Sequence, residues 1–170
     1  MISNADILIS LQTCDAKYQA ALANGAPAID VILYSKLAVI EYCGWIEMSQ
    51  DLIVYRFLKN KLVHADNKVL DIKINKNYGF DYDNNFRPLL TFAIGLEAVA
   101  SFEQHLNAGG KLQILKSELS KYKQSRDSAA HTMAAATTQI YQSPSIIIAS
   151  LNSLFPILTD VYNYAIQTNP

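Results

Sequence analysis

An all-α domain is what this sequence predicts, on three observations. Apolar residues recur at helical spacing over most of the chain, the strongest proline and glycine signals fall between those runs, and the single short alternating stretch has no second strong strand to pair with. About five helices joined mostly by short turns imply an antiparallel bundle, in one domain covering residues 1–170, with a loop insertion near residues 66–86.

Each element follows from its own pattern. Residues 4–23 carry Ile7, Leu8, Leu11, Cys14, Tyr18 and Leu22 at i, i+3, i+4, i+7 spacing, and Asn24-Gly25 with Pro27 ends that helix. From Ala28 to about His64 the helical spacing continues without a proline, which predicts one long helix, bent near Gly44. Residues 66–86 are rich in Asn and Asp and read as the inserted loop. Asn84 or Asn85 then caps a helix through Leu89, Leu96 and Leu106 to Gly109-Gly110, with Pro88 tolerated in its first turn. The next helix uses Leu112, Leu115, Leu119 and Tyr122 and carries residues 126–131 toward its end, with alanines at 129, 130, 134, 135 and 136 suited to close packing. Ser143-Pro144-Ser145 opens the last helix, which uses Ile147, Leu151, Leu154, Leu158, Val161 and Tyr162, with Pro156 as a kink point.

Composition narrows the class. At 170 residues, 51% hydrophobic and 17% charged, the chain can bury a core and is no disordered segment. A formal charge of -1 argues against a protein that coats nucleic acid through a broadly basic surface, and leaves room for a local basic site. The apolar run from Ala28 is interrupted by Glu41, Glu47, Asp51 and Arg56, so no membrane span is expected. The first residues lack a basic stretch leading into an apolar one, which points to the cytoplasm. Cys14 and Cys43 have neither disulfide-framework nor zinc spacing and read as reduced, buried small hydrophobes.

One segment combines residue types that carry chemistry, Gln124-Ser-Arg-Asp-Ser-Ala-Ala-His-Thr132. An arginine is followed by a polar residue and, five positions on, by a histidine. This resembles the Arg-x4-6-His signature of HEPN domains, many of which are metal-independent RNases. The amphipathic helix leading into the segment suits that family's bundle, and Tyr42-Cys-Gly-Trp-Ile-Glu47 is similar to an aromatic-hydrophobic-glutamate stretch in an early helix of some branches. The resemblance covers about residues 28–165, and only the six residues Arg126 to His131 are specific.

The resemblance implies an endoribonuclease that leaves a 2',3'-cyclic phosphate and a 5'-hydroxyl. Cleavage without a metal needs a proton acceptor or donor at the reacting oxygens and a fixed cation where negative charge develops. Histidine titrates near neutrality and arginine grips phosphate through its planar fork. His131 is therefore the candidate general acid or base and Arg126 the candidate phosphate-binding group, with Asp127 and Ser128 as supporting candidates. Asp127 departs from the family, which often has asparagine or another polar group there. Its carboxylate can orient the histidine or arginine, and it also puts negative charge where phosphate would approach.

Residues five apart on an unbroken helix point about 140° apart and lie roughly 7.5 Å apart along the axis. Arg126 must then reach around, the helix must break, or two copies must form one composite cleft. The family's habit of dimerising implies the last, and hence a homodimer. Lys116 and Lys123, seven apart, form a modest basic strip leading to the motif and are the candidate substrate-binding residues, although such a strip is more often a solvated face.

Other readings are weaker. Ser128 and His131 lack a strand-turn elbow and a third member, which argues against a hydrolase triad. His64 and His105 read as helix caps, and Glu47 as an exposed or helix-packing glutamate more than a support for the site. No P-loop, dinucleotide fingerprint or metal-ligand cluster is present, so no cofactor or metal is expected. The expected partners are RNA, a second copy and, in a toxin-antitoxin or antiviral setting, an antitoxin protein. The rival class is a helical interaction module that binds a partner protein or nucleotide in the same cleft without cutting.

Overall fold

Two helices, α1 (Ala5–Ala23) and α2 (Ala28–Leu58), open the chain as a hairpin in the computed structural model, which describes residues 1–58, 61–132 and 140–167. The hairpin turns at Gly25, whose φ of 60° a side chain would resist, while the amide of Ala26 closes back on the carbonyl of Ala21 at 2.9 Å. α2 runs unbroken through Gly44 and ends at Leu58, short of the expected His64.

The expected loop at residues 66–86 is corrected. Its first half is α3 (His64–Asn75), so His64 opens a helix where it was expected to close one. Leu70 and Ile74, one helical turn apart, are buried, whereas Val69 and Ile72 are exposed. That is a period of about four, not two, and burial of two side chains overrides the weak propensity of the Asn- and Asp-rich stretch. A π-helical turn at Tyr82–Phe86 follows, with both end residues buried and the Asp81 carboxylate accepting from the amide of Asn84 at 2.9 Å.

The two middle helices are each divided. Gly95, at φ 84° and ψ 161°, separates α4 (Arg87–Ile94) from α5 (Leu96–Ala108), so the third expected helix is really two. Gly110, with φ 68°, then leads into α6 (Lys111–Lys121), and Tyr122 at φ -104° and ψ -2° separates that from α7 (Lys123–His131). Buried Tyr122 sets this second break. Its ring meets Tyr42 edge-on at 5.1 Å between centroids, and its hydroxyl shares a hydrogen with Ser150 at 2.9 Å.

The last helix, α8 (Pro144–Gln167), packs on α1, α2 and α6 through a fully buried row that includes Ile147, Leu151, Leu154, Leu158 and Val161. Truncating Ile147 or any of the three leucines to alanine costs about 2–5 kcal/mol, because the cavity closes only partly. Pro156 lies on its exposed side, where water can take the ladder bond that proline forgoes. By length and hydropathy α8 would suffice to span a bilayer, which the reading centred on the charges of α2 overlooked; here it is a central core helix. The described residues thus hold eight α-helices and one π turn, with no strand. The all-α class is as the sequence predicts, with more and shorter helices than five.

Candidate functional site

The motif segment is its own short helix, anchored by one residue. α7 buries Ala129 and leaves the rest of its length partly or fully exposed. It lies along one flank of α2. Arg126 at its start reaches Glu47 of α2, and the carbonyl of Thr132, just past its end, accepts from the ammonium of Lys36. Thr132 stops the helix in an extended conformation, its hydroxyl donating to the Ser128 carbonyl at 2.6 Å and lying 3.2 Å from the Tyr141 hydroxyl.

Arg126 is held at two points. One guanidinium nitrogen donates to Glu47 at 3.2 Å and the other to Asp127 at 3.4 Å, with a third of the side chain still in solvent. The same arginine, with Lys123 and Asp127, borders a cleft of about 60 Å³ closed on its other side by the 78–85 segment. That is room for about two waters. A phosphodiester can lie across its rim but not enter it.

The far wall of the cleft is fixed by side-chain amides. Gln50 of α2 donates to the carbonyl of Phe80 at 2.8 Å, and Asn85 donates to the carbonyl of Tyr78 at 3.0 Å. Gly79, at φ 119°, lies so close to Asn85 that a Cβ would stand 3.1 Å from its amide oxygen. A side chain there would be strained both in its backbone and in its contact.

Charge at this end of α7 is balanced rather than basic. Cys43 lies fully buried beneath it, and its thiol is pushed up to about 12, by burial first and then by Glu47, against the smaller opposing effect of Arg126. The carboxylates therefore outweigh the guanidinium at that point. Both cysteines are buried and unbridged.

His131 occupies the other end. It is the last residue of α7, exposed, in the terminal turn where a cation is favoured by the helix dipole, and has no hydrogen-bond partner among the described residues. It does not border the cleft that Arg126 borders. Within one chain the structure thus groups Lys123, Arg126 and Asp127, puts the Ser128 carbonyl in the terminal turn, and sets His131 apart. The alanines at 134, 135 and 136 lie outside the described residues.

The proposed basic strip does not run continuously, since the break at Tyr122 separates its two lysines. Lys116 is bound to Asp83 at 2.8 Å and stands 4.9 Å from the centre of the Tyr82 ring, while Lys123 is exposed at the cleft rim. Sequence reasoning undervalued Glu47, expected as an exposed or helix-packing residue and found on Arg126. It missed Lys36 and the 78–85 wall entirely. His105 does sit in the last turn of its helix, its ring tilted 30° to that of Tyr164 at 4.8 Å between centroids and 3.5 Å from Asp160.

What the fold defines is an all-α protein with an ionic cluster at the meeting of α2 and α7. No family model, curated protein or solved structure matches the chain. Among the described residues no group of three or more His, Cys, Asp or Glu side chains is placed to hold a metal ion.

Proposed function

We propose that this chain is a metal-independent, HEPN-type endoribonuclease that acts as a homodimer in the cytoplasm, with Arg126 and His131 as its reacting pair. The observation that carries this reading is the placement of both groups at the surface on one short helix. The guanidinium is already oriented by Glu47 and the imidazole is open to solvent. His131 removes the proton from a 2'-hydroxyl or returns one to the departing 5'-oxygen. The 2'-oxygen attacks phosphorus, the P–O5' bond breaks, and Arg126 stabilises the charge that gathers on the phosphoryl oxygens. The two groups stand about 140° apart around α7, so a composite site uses the arginine of one copy and the histidine of the other. Lys123 adds a rim charge for the RNA backbone. The setting is a toxin-antitoxin or antiviral one, with an antitoxin protein as a further partner.

A second reading rests on the carboxylates. Glu47 and Asp127 already occupy donors of Arg126, which suits a binding module that recognises a partner protein or nucleotide without cutting.

Mixed RNA incubated with the purified protein in EDTA separates the two. Cleavage that both Arg126→Ala and His131→Ala abolish supports the nuclease. Mixing the two inactive variants should then restore about a quarter of the original rate, because half of the dimers regain one intact site. Absence of cleavage, together with no growth arrest on expression, favours the binding module.

A further inference from the structure

The buried side of α2 explains half of that helix. Its outer side carries a second apolar row centred near Gly44, with Asp51 standing among it. Ile40 and Met48 lie four residues to either side, Leu37 and Leu52 seven and eight, and Leu33 and Tyr55 eleven. All six are exposed, from 40% for Ile40 to 66% for Met48. They span roughly 33 Å of helix. At the centre, a Cβ on Gly44 would meet nothing within 4 Å, so the backbone there is open to close approach.

The geometry points to a second copy of this chain as the occupant, its α2 crossing antiparallel at Gly44 about a two-fold axis lying in the interface. Such an axis sets Ile40 against the second copy's Met48, Leu33 against the ring of its Tyr55, whose hydroxyl donates to Asp71, and Leu37 between its Asp51 and Leu52. A two-fold mate brings the same row to both sides, so that each of these pairs forms twice in one interface. The exposed parts of the six side chains amount to roughly 500 Å² per copy, near the top of what a lone protein leaves in water, and two copies reach the ~1,000 Å² expected of a specific interface.

Charge agrees with the same register. Lys36, eight residues before the centre, comes level with the second copy's Asp51, seven after it, on the same flank. Among the described residues Asp51 has no cation partner, and Lys36 donates to a carbonyl and meets no carboxylate.

The axis also keeps both α7 helices on one side of the α2 pair while reversing their directions. α7 runs from Glu47 toward Lys36, so each copy's His131 comes toward the flank where the other's Arg126 stands. This last consequence rests on the nuclease reading; the interface itself does not.

The test is the oligomeric state of the full chain with position-specific cross-linking. Light scattering on a sizing column should give twice 18.9 kDa for the native protein and the single mass for the Leu37→Glu/Met48→Glu variant, with unchanged far-ultraviolet circular dichroism. Under mild oxidation Gly44→Cys should cross-link to itself in most of the sample, whereas Leu33→Cys, whose mate lies far along the helix, should not. A native chain of single mass, a double variant that stays dimeric, or equal cross-linking at 33 and 44 overturns the proposal. A single-mass protein that still cleaves RNA removes this interface and leaves the nuclease standing; a dimer through α2 that never cleaves does the reverse.

Discussion

Arg87 and Arg126 are equally exposed, at 34% and 33% of the side chain, and each meets a glutamate, yet the two pairs are built differently. Arg87 forks onto Glu103, with Nε 2.7 Å from one carboxylate oxygen and Nη2 3.3 Å from the other, and the Tyr82 hydroxyl donates to the same group at 3.0 Å. Hydrogen bonding from Arg87 holds the Glu103 carboxyl below its usual range. Arg126 instead spreads single, longer contacts over Glu47 and Asp127 at a cleft edge. A two-point fork uses up the guanidinium as a clamp between elements, whereas separate one-point contacts orient it and leave its face open. Exposure alone does not distinguish a structural arginine from a candidate functional one; the geometry of its donors does.

That contrast breaks first under substitution. Arg126→Ala should lower RNA cleavage at least about 100-fold, as loss of a group that stabilises developing charge does, with little change in the urea midpoint. Arg87→Ala should behave in the opposite way, losing about 1 kcal/mol of unfolding free energy after allowance for solvent screening, with the cleavage rate intact. Urea titrations and initial rates on both variants read this directly. Equal loss of activity in the two would show that the clamp and the cluster are one functional unit.

Acidity sharpens the same comparison, because carboxylates in the two regions respond to pH with opposite sign. Glu103 titrates lower in the folded chain than its ordinary 4.5, so its contribution is present above that value and is lost as pH falls through the folded one. Asp51, one turn beyond Glu47 on α2, is raised from 3.8 to about 6, by burial first and then by the Glu47 charge. The folded chain then binds the extra proton, and stability falls as pH rises from 3.8 to about 6 and is level above. Asp51→Asn should therefore raise the urea midpoint at pH 7.5 and leave it unchanged near pH 3.5, measured at protein dilutions where the chain is single. A lowered midpoint at pH 7.5 would mean that the carboxylate has a cation beside it in the folded chain.

Periodicity made the helices legible and their partners illegible. The all-α class, the first hairpin and the start of α8 at Pro144 follow from local patterns that packing did not overturn. The breaks at Gly95 and Tyr122 and the helix at residues 64–75 do not, because each is set by burial against distant elements: Tyr122 against Tyr42 and Ser150, Leu70 and Ile74 against the core. The site divides in the same way. Arg126, Asp127 and His131 stood out as residue types at a spacing, but the Glu47 contact joins positions 79 apart, and helical spacing reports which face a residue occupies, not what meets it. One local sign was available for Glu47. It stands one turn after Cys43, on the flank of α2 next to its buried face, where a side chain is within reach of whatever packs beside that helix.

The smallest effect is expected at the cleft rim, and it separates binding from positioning. Lys123 borders the same cleft as Arg126 yet is exposed, with no ion pair among the described residues. Its charge can act on RNA only through the phosphate backbone, so Lys123→Ala should weaken RNA binding by about threefold at moderate salt and reduce the slope of log affinity against log salt by about 1. The cleavage rate at saturating RNA and the urea midpoint should not move. Lys116→Ala is the control inside the same strip. Its ammonium is committed to Asp83 and the Tyr82 ring, so it should leave the salt slope alone and shift the urea midpoint slightly downward. If Lys116 rather than Lys123 alters the slope, RNA runs along α6 and the π turn instead of over the α7 cleft, and the substrate path has to be redrawn on that side of the helix break.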